Sequence, residues 1–286
     1  MILVTGATGN LGSSVVEQLL KISSVDQFVV TSSNPEGVAK LKVEGLQARS
    51  GNFSDASSLT ETFKGISKLL LISTMEQNRF EQHKNVVDAA KEQGVKHIVY
   101  TSLAIKDVQI SGVKDLMMSH FQTEDYIKAS GLTYTILRNT MYADALTQIF
   151  GSEVLNRGIN LPGGDGKVPY ALRREMGEAT ANLLLQDGHE NKTYHITGSH
   201  SFGYFDVAAT LSKLSGKTVS YNNIAEDDFK KFLKQLGFQD FVIYLHAGTI
   251  YDIKTKQYEI ESKTLEKLLG RPTASIEAFV KELFNL

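Results

Sequence analysis

Short apolar or β-branched runs alternate along this chain with longer stretches whose apolar residues recur at helical spacing. The runs "MILVT", "QFVVTS", "KLLLIS", "KHIVYTS" and "TYTIL" read as strands, and "LQARSG" as a shorter one. Between them, "LGSSVVEQLLKI", "NPEGVAKLKVEG", "QHKNVVDAAKEQG" and "DLMMSHFQTEDYIKASG" read as helices. In the first helix Leu11, Val15, Val16, Leu19 and Leu20 are expected on one face, packed on a sheet. Gly45, Gly94 and Gly131 follow periodic runs and predict helix ends. Such alternation implies βαβ units and a parallel sheet with helices on both faces. The expected fold class is α/β: a Rossmann-type doubly wound parallel sheet with a smaller, mostly helical C-terminal lobe.

After about Asn139 the pattern changes. "PGGDGKVPY" holds two of the chain's four prolines and three of its glycines, a turn-rich excursion. "REMGEATANLLLQ" reads as a helix and "KTYHIT" as a strand returning to the sheet, while the remainder is helical apart from one strand at "KTVSYN". The expected division is a NAD(P)-binding Rossmann domain, 1–138 with 172–198, and a smaller substrate or acceptor lobe, 139–171 with 199–286.

Composition narrows the function. A chain of 286 residues can bury a substantial core. Lys plus Arg number 30 against 32 Asp plus Glu, with no basic block, which argues against a nucleic-acid partner. There is no cysteine, so disulfides, thiolate nucleophiles and cysteine zinc sites are excluded. No charged leader precedes the first strand and no apolar run approaches ~18 residues, so no membrane partner is expected and the cytoplasm is the expected location. His83 and Glu81 lack further ligands at useful spacing, and no metal site is expected.

The candidate chemistry sits at the strand ends. Gly6-Ala-Thr-Gly9-Asn-Leu-Gly12 lies between a strand and a helix, a spacing variant of the dinucleotide fingerprint. Gly6 permits the tight turn, Gly9 lets backbone approach a pyrophosphate, and Gly12 allows close helix–strand packing. Thr8, Asn10 and Leu11 complete the loop, and the helix starting near Asn10 offers free amides to a diphosphate. At the end of the second strand an acidic residue would bind ribose hydroxyls and an arginine a 2′-phosphate. The chain has Ser32, Ser33 and Asn34 there. The missing carboxylate favours NADP(H) over NAD(H), although the same residues also read as a helix start with Asn34 or Ser33 as cap. Ser73, Thr74, Thr101 and Ser102 end two further strands, where they either touch cofactor ribose and nicotinamide or cap backbone. Phe53 is expected to pack either on adenine or in the core.

"VTGATGNLG", "KLLLIS", "NVVDAAKEQGVKHIVYTSL", "SGLTYTILRN", "GDGK" and "GHENKTY" together resemble the atypical short-chain dehydrogenase/reductases. The likeness is to the NADPH-dependent quinone oxidoreductases and triphenylmethane reductases of the NmrA-like set, and it covers essentially the whole chain. The resemblance implies NADPH on a Rossmann domain and an acceptor cleft completed by the C-terminal lobe. Those relatives carry arginine where this chain has Ser33. The wider superfamily uses Tyr-x-x-x-Lys to protonate an alkoxide, yet none of the eleven tyrosines here has lysine four residues on. Isoflavone-reductase-like enzymes place a lysine twelve residues before the start of the "Tyr-Thr" strand. Counting back from Leu132 gives His120, where the quinone oxidoreductases also resemble this chain in having histidine. His120 is thus a candidate catalytic donor with Glu124 one turn along to orient it, or else a solvated helix histidine. Asn139 and Tyr142 are expected at the cleft, Tyr142 either stacking on a flat acceptor or serving the core.

Without the tyrosine, hydride delivery to conjugated acceptors survives best. Quinone reduction yields a phenolate whose conjugate acid has a pKa of about 10, far less basic than an alkoxide. The expected function is an NAD(P)H-dependent oxidoreductase passing hydride to a quinone or similar small-molecule acceptor, with neither metal nor flavin. A non-catalytic dinucleotide sensor is the alternative; a nucleotide-sugar epimerase would need the absent Tyr-Lys pair.

Overall fold

The computed structural model describes the chain from Met1 to Leu286. Its first half alternates strand and helix: β1 (Ile2–Val4), α1 (Asn10–Ile22), β2 (Phe28–Ser32), α2 (Pro35–Val43) and β3 (Ala48–Ser50) come first. There follow α3 (Ala56–Phe63), β4 (Lys68–Leu71), α4 (Arg79–Glu92), β5 (His97–Leu103), α5 (Lys114–Ala129) and β6 (Thr133–Asn139). After α6 (Leu146–Phe150), α7 (Val154–Arg157), β7 (Ile159–Leu161) and β8 (Lys167–Val168), the chain returns through α8 (Arg173–Leu184) and β9 (Lys192–Ile196). It finishes with β10 (Phe202–Gly203), α9 (Tyr204–Ser215), β11 (Tyr221–Asn223), α10 (Glu226–Gln235), α11 (Asp240–Lys254), α12 (Thr264–Leu269) and α13 (Ile276–Phe284).

Seven parallel strands form one sheet in the order β3-β2-β1-β4-β5-β6-β9, the Rossmann-type arrangement. Consecutive side chains of a strand point to opposite faces, so each strand feeds two cores. Leu3, Val29, Leu69, Leu71, Ile98 and Tyr100 join the cluster under α3, α4 and α5. Val4, Val30, Leu70 and Val99 join the opposite cluster with residues of α1, α8 and α12. Helix α1 packs through Leu11, Val15, Val16 and Leu19, but Leu20 is 48% exposed. At about 100° per residue Leu20 lies half a turn from Leu11, outside the covered arc. Gly45, Gly94 and Gly131 all have positive φ at helix ends, as their positions predicted.

A third core, the largest, gathers residues of 105–172, α9, α10, α11 and α13. Beside it lie two small sheets: β7 with β11 in parallel, and β8 with β10 antiparallel. The expected strand at "KTVSYN" is therefore corrected to Tyr221–Asn223, set by pairing with Ile159–Leu161. Helix α12, expected on the smaller lobe, buries Leu265, Leu268 and Leu269 in the sheet-side cluster against α8. No helix is long and apolar enough to cross a membrane.

Candidate cofactor-binding site

The turn after β1 is built for close approach. Gly6 has φ of +62°, the left-handed region, and the Gly9 amide donates to its carbonyl at 2.9 Å. A Cβ on Gly12 would lie 2.1 Å from the Gly6 carbonyl oxygen, so only glycine lets α1 abut the turn. Helix α1 starts at Asn10, and its N-cap Gly9 has no side chain to occupy the first amides. These amides face the end of the sheet where β1 separates β2 from β4, the switch point at which open α/β sheets bind ligands.

A cavity of about 560 Å³ opens at this point. Among the expected residues, Gly6, Thr8, Gly9, Ser32 and Ser33 line it from the first two strands. Phe53 joins from the loop after β3, with Ser73 and Thr74 from the loop after β4. Others stand outside the lining. Leu11 is in the core, Gly12 is packed behind the turn, and Asn10 accepts from Ser13 and Ser14 through its carbonyl. Asn34 caps α2, its Oδ1 accepting from the Gly37 amide at 2.6 Å. Thr101 acts from behind, its Oγ1 accepting from the Ser73 amide at 2.9 Å. Ser102 donates to Glu124 instead.

Sequence reasoning missed Asn52, Glu76 and Gln82, which also line the cavity. Gln82 ties two of its walls together: Thr74 Oγ1 donates to Gln82 Oε1 at 3.0 Å, and Gln82 Nε2 donates to Ser54 Oγ at 3.1 Å. Its position one turn into the helix after a parallel strand was the available signal.

Beneath the β4 loop lies a buried polar cluster of Arg79, His83, Tyr100, His120 and Thr123. His120 is 6% exposed, and its Nδ1 meets the Tyr100 hydroxyl at 2.9 Å. Burial, followed by the charge of Arg79, holds its imidazole well below the ordinary histidine value, so it is neutral. The expectation that Glu124 orients His120 is corrected. Glu124 is pulled away by stronger partners: Arg138 Nε and Nη2 grip it at 2.9 and 2.7 Å, and Ser102 Oγ donates at 2.6 Å. A solvated helix histidine is excluded equally. His83 is driven down to about 3, first by burial and then by Arg79. Its ring resonances are therefore expected not to titrate between pH 7 and 4.5 in an NMR titration of folded protein. Because the unfolded imidazole protonates near 6.5, stability should decline as pH falls from there toward 3.

Tyr142 follows Asn139 just past the end of β6 and is half-buried, with one face of its ring covered. The Arg173 guanidinium sits 4.5 Å from its ring centroid. Burial raises its phenol, opposed by the neighbouring Asn139 amide and Arg173 charge.

A model of the NmrA-like family matches residues 1–270. The chain belongs to the NmrA-like family. Quinone oxidoreductase 2 of Escherichia coli is 38% identical over 288 residues, spanning 100% of this chain and 99% of the relative. The E. coli NADPH-dependent quinone oxidoreductase crystallised with NADPH superposes with a TM-score of 0.93 at 37% identity, covering 100% of both chains. Triphenylmethane reductase of Citrobacter sp. gives 0.92 at 32% identity, covering 100% of this chain and 99% of the other. In this NmrA-like protein Glu76 is the one charged side chain on the cavity lining. Arg49, on the neighbouring β3, is turned away and donates to the Thr62 and Lys64 carbonyls, both at 2.8 Å.

Proposed function

We propose that this NmrA-like protein is an NADP(H)-preferring reductase whose acceptor is a quinone or similar flat conjugated molecule. The observation that carries the reading is the glycine turn, with Gly12 pressed on the Gly6 carbonyl at the sheet's switch point. Full-length likeness to an NADPH-dependent quinone oxidoreductase supports it. When bound, the dinucleotide supplies a hydride, two electrons with one proton. The chain's part is to grip, orient and keep water out. Amides of the Gly9–Gly12 turn would hold the diphosphate, Ser32 and Ser33 the adenosine ribose, and Phe53 the adenine. Ser73 and Thr74, backed by Thr101 and Gln82, would orient the second ribose and the nicotinamide. The acceptor would lie between the sheet and the lobe of residues 139–171 and 199–286. A quinone that takes hydride becomes a phenolate, which solvent can protonate, so no Tyr-Lys pair is required. The Tyr100–His120 pair, buried and neutral, is assigned to holding α5 on the sheet.

NADPH oxidation with a panel of quinones and cationic dyes tests the reading. Acceptor-dependent loss of NADPH absorbance is the expected result. Saturable binding with no acceptor-dependent oxidation would defeat it and leave a dinucleotide sensor. Ser33→Arg is expected to raise the NADPH-to-NADH ratio of kcat/KM about tenfold, by adding the cation that a 2′-phosphate takes in related folds. An unchanged ratio would remove position 33 from the ribose end of the site.

A further inference from the structure

Arg79, the first residue of α4, breaks three physical preferences at once. Its side chain is fully buried. Its partners are all neutral: Nε donates to the Thr74 carbonyl at 2.5 Å and Nη1 to the Leu116 carbonyl at 3.0 Å and Ser119 Oγ at 2.9 Å, while Nη2 faces Met75 Sδ at 3.7 Å. It also sits at the positive end of a helix, where a cation is disfavoured. The titratable groups packed around it give no counter-charge. His83 on its own helix and His120 on α5 are neutral, Tyr100 on β5 keeps its proton, and Glu124 on α5 is taken by Arg138. A buried cation without a counter-ion is costly, and local rules are broken in this way chiefly where function requires it.

The contacts of Arg79 say what the function is. Thr74 and Met75 belong to the loop between β4 and α4, and Thr74 and Glu76 of that loop wall the cofactor cavity. The guanidinium fork joins this loop to α5, so it fixes the wall from behind. The cavity lining itself holds no cation. We propose that Arg79 is a positioning residue for the dinucleotide: it clamps the Ser73–Asn78 loop to α5, and its positive charge behind that loop offsets the Glu76 carboxylate on the lining when an anionic occupant enters. This rests on the cofactor reading given above.

The test compares wild type, Arg79→Gln and Arg79→Lys by fluorescence titration with NADPH and NADH, with circular dichroism to establish folding. Arg79→Gln is expected to weaken both dinucleotides about tenfold. Arg79→Lys keeps the charge but loses the fork, and should bind severalfold more tightly than the glutamine variant. KM for the dinucleotide rises accordingly, kcat at saturation stays within about threefold, and the cofactor-induced rise in melting temperature shrinks in the same order. A purely structural arginine would lower the melting temperature of the free protein and leave these affinities unmoved. A folded glutamine variant binding both dinucleotides within threefold of wild type overturns the proposal, as do equal affinities in the two variants. Should Arg79→Gln not fold, Arg79→Met replaces it under the same criterion. Wild-type protein that binds neither dinucleotide overturns the functional reading, and this proposal with it. Wild-type binding matched by the variants overturns this proposal alone.

Discussion

Replacing Gly12 by alanine is expected to lower kcat/KM for the dinucleotide about 100-fold. The added carbon would fall 2.1 Å from the Gly6 carbonyl oxygen, 2.7 Å from the Gly6 carbonyl carbon and 3.0 Å from Ala7 Cα. All three are backbone atoms, so no side chain can swing aside. Helix α1 must withdraw from the turn by roughly an ångström, and its free amides withdraw with it. The same overpacking should destabilise the fold by about 1–3 kcal/mol. Gly6→Ala is the informative companion. A Cβ there meets only the Ile72 side chain, at 3.7 Å, so its penalty is the left-handed backbone alone, about 1–2 kcal/mol. Steady-state kinetics over a range of NADPH concentrations gives the answer. A Gly12→Ala enzyme with wild-type KM and kcat would mean that the amides of this turn do not hold the cofactor.

Arg138→Met is expected to cost about 3 kcal/mol of stability, because it leaves the buried Glu124 carboxylate with only the Ser102 hydroxyl and the part-exposed Lys128 ammonium as partners. Glu124 is 1% exposed, and Arg138 reaches it with two donors from β6. Burial alone would push the Glu124 carboxyl up; hydrogen bonds from Arg138 and Ser102, with the charges of Arg138 and Lys128, outweigh it and hold the group below its ordinary value of 4.5. A depressed folded-state value means that the contribution is full above pH 4.5 and is lost as pH falls through the lowered value. In Arg138→Met the sign reverses. Burial then dominates, folding takes up a proton, and the deficit against wild type should narrow from pH 7 to pH 4. Urea unfolding at the two pH values measures both quantities. A deficit below about 1 kcal/mol at pH 7 would show that Glu124 finds water or another partner when Arg138 is removed.

Much of the lining of the cavity at the sheet's switch point was legible in the sequence because its parts are local. A glycine turn between a strand and a helix specifies its own backbone, so Gly6, Gly9 and the start of α1 at Asn10 follow from a dozen residues. Hydroxyls at the carboxyl ends of β2 and β4 are brought to the crevice by topology, and Ser32, Ser73 and Thr74 are found there. Readings that required a partner distant along the chain fared differently. Glu124 is one helical turn from His120, yet it binds Arg138 and Ser102, 14 and 22 residues away. Ser102 and Thr101 end the same strand, but alternation sends one to Glu124 and the other to the Ser73 amide.

The sequence by itself determined the period of the sheet-side strands and helices, the succession of βαβ units, and the glycine turn between β1 and α1. Each depends on interactions among residues a few positions apart, where backbone geometry leaves little choice. Only the tertiary structure decided which polar side chains pair inside the protein. Arg79 reaches Ser119 across 40 positions, Tyr100 meets His120 across 20, and α12 packs on α8. In water each of these groups has hydration as an alternative. Once the helices close on the sheet that alternative is gone, and whichever donors and acceptors share a buried space must satisfy one another.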